Sequence, residues 1–283
     1  MYRLHSLAAL VAAAGLLGGC KQDPAPAAAP AAAAAPTPAA ATTTQLSRTE
    51  RLDGFLRTRY GAKAGLAAQW NGEADGFKAD SQVCAEQPVV VGEQVQQLLA
   101  VCHSLSDGGH GNPGLIDFFV LRSDGDTFKV VAEKLSDTFG SDGNPGSVDV
   151  LRLGSDFYGF IVHSFWMGQG LMLESQDLVV PGPKGLVGAG SLRAHIDNSG
   201  GLDCDDQARE PDQTQAQCMA EAFDVDFTLD VDSSNAQARI WPLRIHEHGS
   251  DCGQTLDTTH VFALDPKTWT YPFPNALQRE GCK

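Results

Sequence analysis

No stretch of this 283-residue chain reaches the eighteen or so consecutive apolar residues that an α-helix needs to cross a hydrocarbon core of ~30 Å. There is no CxxC, which argues against a cysteine-rich zinc site, and no GxSxG, which removes the nucleophile elbow of a serine hydrolase. No phosphate-cradling GxxxxGKS or GxxxxGKT is present, so a P-loop is excluded as well. Positive charge is scarce: 20 Lys and Arg stand against 35 Asp and Glu, a net charge of −15. That balance argues against nucleic acid and anionic membrane surfaces as partners and favours a cationic protein, peptide or metal ion. Plain solubility is the competing account of the charge.

What is present begins with LLGGCKQDPAPAAAP, residues 16 to 30. The apolar run Leu7 to Leu17 follows Arg3 and His5 and is about eleven residues long, the pattern of a secretory signal. Its end, Leu17-Gly18-Gly19-Cys20, resembles the lipobox of bacterial lipoproteins. That resemblance implies diacylglycerol on the Cys20 sulfur, cleavage before Cys20 and acylation of the new amino group. Lys21 stands where the retention signal of that class places Asp, which implies the periplasmic side of the outer membrane of a Gram-negative cell. Three acyl chains at ~0.8 kcal/mol per buried CH₂ make a lasting anchor. An ordinary signal peptide with a chance cysteine is the alternative.

From Lys21 to about Thr44 the chain is almost wholly Ala, Pro and Thr and has nothing large to bury. Such a segment is expected to be an extended, disordered tether. Loss of Arg3 with the signal leaves 19 basic against 35 acidic residues, net −16.

Seven cysteines is an odd count for an exported chain. Giving Cys20 to lipid leaves Cys84, Cys102, Cys204, Cys218, Cys252 and Cys282, an even set suited to three disulfides in an oxidising compartment. Six cysteines permit fifteen pairings. Pairing neighbours along the chain, Cys84 with Cys102, Cys204 with Cys218 and Cys252 with Cys282, closes loops worth roughly 3 kcal/mol apiece.

Residues 45 to 283 are expected to form one mainly β, antiparallel domain: a meander, sandwich or propeller-like fold, stapled by disulfides, with one short N-terminal helix at Ser47 to Tyr60. Ser47 is the candidate cap, and Leu52, Phe55 and Leu56 share a face. Strands are expected at Val95 to Leu105, Leu115 to Leu121, Thr127 to Leu135, Val148 to Leu153, Tyr158 to Trp166, Gly170 to Val180, Leu186 to Ile196, Asp224 to Asp232, Ala238 to His246 and His260 to Leu264. In the Asp224 to Asp232 strand Val225, Phe227, Leu229 and Val231 point one way, and Asp224, Asp226, Asp230 and Asp232 the other. That gives a buried face and an acidic one, the latter a candidate surface for a cation or basic partner. GNPGLIDFFVL (111 to 121) and GNPGSVDVLRL (143 to 153) form a two-copy repeat that suggests hairpins stacked side by side.

Candidate chemistry is sparse. In IHEHGSDC, residues 245 to 252, His246 and His248 share one side of a strand and are candidate zinc-class ligands, with Asp251 or His260 as a third. Polar residues at a strand end are the plainer account. The Asp-Gly-Asn loops at 106 to 112 and 141 to 144, and the carboxylate-rich 202 to 212, are candidate calcium loops without EF-hand spacing. Trp166 and Met167, with Phe165, precede Gly168 and Gly170 and are candidate binding anchors at a hairpin tip. No cofactor is required and no catalytic residue is assigned. The function these features favour is a lipid-anchored envelope binding module, for instance an inhibitor or immunity-type protein against a cationic cell-wall hydrolase. The alternatives are a metal-assisted envelope hydrolase and a structural or assembly lipoprotein.

Overall fold

Alternating apolar and polar residues, punctuated by tight turns, fold more than half of the described residues into antiparallel strands. The computed structural model describes residues 45–202, 204 and 214–278; the signal, Cys20, the tether and Cys282 lie outside the described residues. No helix among the described residues is long and apolar enough to cross a membrane. β1 (Gln69–Ala74), β2 (Phe77–Val91), β3 (Gln94–Leu105), β4 (Gly114–Asp124) and β5 (Thr127–Phe139) form a five-stranded sheet in chain order. β6 (Ser147–Arg152), β7 (Tyr158–Gly168), β8 (Leu171–Gly182), β9 (Gly185–Asp197), β10 (Phe223–Val231), β11 (Leu243–Asp251) and β12 (Gln254–Phe262) form a second, seven-stranded meander. Two-residue turns at Asp75-Gly76, Gln169-Gly170 and Cys252-Gly253 hold both residues at positive φ, which matches the twist of the strands they join.

The sheets pack face to face. Leu98, Ala100, Ile116 and Phe118 of the first meet Phe160, Val162 and Val179 of the second, with the Phe118 and Phe160 rings 4.9 Å apart. On the other side of the first sheet lies α1 (Arg48–Tyr60), whose Leu52 and Leu56 are fully buried against Leu99, Val101, Phe119 and Leu121. Each such leucine contributes about 1.5–3 kcal/mol. Ser47 caps α1 in a reciprocal box with Glu50, so the helix starts one residue after the cap, as that chemistry dictates.

In the second sheet, Ile161, Leu178, Val180 and Ala189 pack with Leu243 and Tyr271, while Val225, Phe227 and Ile245 pack with Leu192, Ile196 and Leu277. β10 meets β9 over only three residue pairs, Asp224 with Asp197, Val225 with Ile196 and Asp226 with His195. The β10–β12 portion therefore hangs on β9 by a short seam.

Disulfides join Cys84 to Cys102 and Cys204 to Cys218. Cys84 sits at a break in the β2–β3 register, between Val83 and Ala85. Cys252 is disulfide-bonded too, and Cys282, its expected partner, falls outside the described residues.

Several expectations shift. β1 and β2 are strands that the polar stretch from Gln69 to Val91 did not announce. β11 runs Leu243–Asp251 instead of Ala238 to His246, because Pro242 has no N–H to give a ladder and the Trp241 N–H bonds Leu153. β12 is Gln254–Phe262 instead of His260 to Leu264, its register set by the Cys252-Gly253 turn. A second short helix, α2 (Gln215–Met219), is capped by Thr214. The strands following the two GNPG copies lie in different sheets, not side by side. It is the loops that meet: the Gly143 N–H donates to the Asn112 carbonyl at 2.8 Å and the Leu105 N–H to the Gly143 carbonyl, fixing the corner where the chain leaves one sheet for the other.

Candidate functional site

Register decides which side chains meet. Glu174 pairs with His195, His195 with Asp226, Asp226 with His248 and His248 with Asp257, so one rung of acids and imidazoles crosses β8 to β12. Phe165, 46 % exposed, continues the rung on β7 opposite Glu174. The alternation expected for β10 is present: Val225 and Phe227 are buried, while Asp224 and Asp230 are exposed and Asp226 is half-exposed.

The acidic face is not bare, however. His195 lies 2.8 Å by Nδ1 from Asp226 Oδ1 and 3.8 Å by Nε2 from Asp224 Oδ1. The other oxygen of Asp226 stands 3.6 Å from His248 Nε2. A carboxylate only accepts, so the His195 nitrogen facing Asp226 carries the proton. Asp232 belongs elsewhere: at the end of β10 it accepts from Arg244 at 2.8 Å and from Ser234, and these bonds hold its carboxyl below the usual range.

His246 and His248 do share a face, with ring centroids 5.2 Å apart. The carboxylate beside His246 is Asp257, at 2.8 Å, and not Asp251. His260 points to the other side of the sheet, where it meets the buried Glu247 at 3.1 Å. Among the described residues, donor atoms of His195, Asp224 and Asp226, one from each residue, converge to within 4.8 Å of one another. His195 and Asp257 carried no sequence signal, because only strand register brings them to this face.

The hairpin tip divides. Met167 is 55 % exposed and points outward with Phe165, whereas Trp166 is half-buried with its ring 6.2 Å from that of His110. In two of the loops offered for calcium, 106 to 112 and 141 to 144, Asn112 Oδ1 accepts from Gly109, Asn144 Oδ1 from Gly146, and Asp142 faces His110 at 3.0 Å; the third, 202 to 212, lies almost wholly outside the described residues.

A second polar cluster is buried under α1. Ser81 Oγ lies 2.8 Å from His103 Nδ1, His103 Nε2 lies 3.3 Å from Asp117, and the Tyr60 hydroxyl donates to Asp117 at 2.7 Å. The residue types are those of a hydrolase triad, but Ser81 is 4 % exposed and sits mid-strand beneath Trp70 and Tyr60. The cluster is a clamp between helix and sheet. Burial works to raise the Asp117 pKa, but bonds from His103, the Ser136 N–H and Tyr60 outweigh it and leave the group below its ordinary value. Burial and the adjacent carboxylate push the Tyr60 hydroxyl far upward.

A cleft of about 830 Å³ opens between the two sheets and is lined by Leu98, Val120, Tyr158, Lys184, Arg239 and Trp269. It contains none of the rung residues. No family model matches the chain, and no curated protein or solved structure matches it.

Proposed function

We propose that the protein is a lipid-anchored binding module of the bacterial envelope, held at Cys20, that engages a cationic envelope protein through the exposed face of β7 to β12. One observation carries the reading: the outward side chains Phe165 and Met167 adjoin the same face as Glu174, Asp224, Asp226, Asp230 and Asp257. Apolar anchors beside a charged rim are the composition of a protein-binding patch. Among the described residues of this face the carboxylates outnumber Arg244, which is itself paired with Asp232, so the face attracts positive charge at neutral pH. A basic cell-wall hydrolase is the partner class with matching charge and location, and inhibition or immunity the matching role.

The test is binding and inhibition of a basic muramidase by the purified protein across a salt series. The expected result is inhibition that weakens as salt rises and is lost in Asp224→Lys/Asp230→Lys. Inhibition indifferent to both salt and charge reversal, or no binding at low salt, overturns the reading. The anchor is tested separately: Cys20→Ser should release the protein from the membrane fraction, and mass spectrometry of the wild type should find acyl groups on Cys20.

A further inference from the structure

We propose that the corner formed by His195, Asp224 and Asp226 binds a divalent transition-metal ion of the zinc class. His195 Nε2 and Asp224 serve as ligands, Asp226 holds the ring, and water completes the shell. This stands apart from partner binding, since it is read on the purified protein alone.

The geometry is that of a histidine oriented by one carboxylate and presented to an ion beside another. Asp226 Oδ1 accepts from His195 Nδ1 at 2.8 Å, which places the ring's lone pair on Nε2. Nε2 faces Asp224 Oδ1 at 3.8 Å, too far for a hydrogen bond. Two ligands that each lie about 2.0–2.2 Å from one ion are separated by roughly that distance. A carboxylate that fixes the tautomer of a ligating histidine is the usual outer-shell partner in zinc sites.

The backbone supplies the rest. Asp224 and Asp226 are two apart on β10 and so share a face, and His195 is the direct partner of Asp226 on β9. All three residues therefore sit in the three-pair seam between β9 and β10. The His195 side chain is 19 % exposed, hence positioned, while that of Asp224 is 67 % exposed, hence free to rotate onto an ion. Mixed imidazole and carboxylate donors suit zinc, cobalt or nickel; calcium, which wants six to eight oxygens, is disfavoured. The competing account is an imidazolium held between two carboxylates with no metal involved.

The experiment strips the intact protein, purified in detergent, with a chelator and titrates it with Zn²⁺, and separately with Co²⁺ read by visible absorption. One ion per chain is expected, with a four-coordinate cobalt spectrum. Asp224→Asn and His195→Gln should each abolish stoichiometric uptake, and Asp226→Asn should lower affinity about 10- to 100-fold. His246→Gln, at the ring paired with Asp257, should leave uptake intact. Asp224→Asn changes one exposed side chain without altering its shape, so its result does not depend on whether the His195 variant folds. No uptake by the wild type overturns the proposal. So does uptake that persists in Asp224→Asn, loss of uptake in His246→Gln, or calcium bound as tightly as zinc.

Discussion

His195 and Asp226 meet at 2.8 Å across the only seam that ties β10 to β9 among the described residues. Three residue pairs are few to carry a three-stranded unit; the ladder stops at His195 and Asp226, although β9 extends back to Gly185 and β10 runs on to Val231. The contact is partly exposed and worth about 0.2–1 kcal/mol. Asp226→Ala should therefore lower global stability only slightly. Hydrogen exchange should nonetheless accelerate at residues 195–197 and 224–226 far more than in β7 and β8, as expected when a local opening becomes easier. Uniform acceleration over the second sheet would show that the seam is not a separate unit.

The buried clamp should matter more. Asp117 accepts from Tyr60 and from the Ser136 N–H and faces His103, so Asp117→Ala leaves two part-buried donors without their acceptor and the buried His103 ring without its facing carboxylate. Each unsatisfied group costs about 1–3 kcal/mol, and the expected loss in urea unfolding is at least about 2 kcal/mol. Tyr60→Phe, which removes one donor, should cost about 1–2 kcal/mol. The pH dependence has a definite sign. Because the folded-state pKa of Asp117 is depressed, its stabilisation is complete above the ordinary carboxylate value of about 4 and is lost as pH falls through the lower folded value. The stability gap between wild type and Asp117→Asn should thus be flat above about pH 5 and shrink only in acid.

Asp177 should behave in the opposite way. Burial raises its pKa, Asp137 adds to the rise, and Ser191 and Arg193 only partly offset them. A carboxyl whose folded pKa lies above its unfolded one weighs against the fold once it is ionised. Asp177→Asn should then raise the urea midpoint at neutral pH. The gain should fade as pH falls through the raised value and vanish below about pH 4, where both states are protonated. A midpoint that drops at pH 7 would mean that the charge is held by Arg193 more firmly than burial opposes it.

Much of the fold was readable because hydrophobic alternation and tight turns are local signals. The Ser47 cap, the buried and wet faces of β10, and two of the disulfides follow from short stretches of chain. Contacts between strands were not readable, since a one-residue change of register moves every side chain to the other face. Asp117 and Asp149 make the point. Both are the third residue after a Gly-Asn-Pro-Gly, yet Asp117 is buried with His103 while the Asp149 side chain is 76 % exposed and stands 3.6 Å from His163. The candidate site shows the same division: Asp224 with Asp226 and His246 with His248 stood out as pairs two residues apart, each pair within its own strand, whereas His195 and Asp257 join them only through the ladder.

Gly111 and Gly143 open the two copies of the same motif and should respond in opposite ways to one methyl group. Gly143 has φ +72°, and a Cβ there would strike the Leu105 carbonyl oxygen in the corner between the sheets. Left-handed backbone alone costs a non-glycine residue about 1–3 kcal/mol, and the collision adds to it by forcing apart the hydrogen bond from the Leu105 N–H to the Gly143 carbonyl. Around Gly111 there is nothing within 4 Å and no positive φ. Gly143→Ala should lower stability by more than about 2 kcal/mol in chemical denaturation, and Gly111→Ala should stay within about 0.5 kcal/mol of wild type. Equal losses would mean that the repeat serves one structural purpose in both copies, and that the asymmetry of the corner is not what holds the two sheets in place.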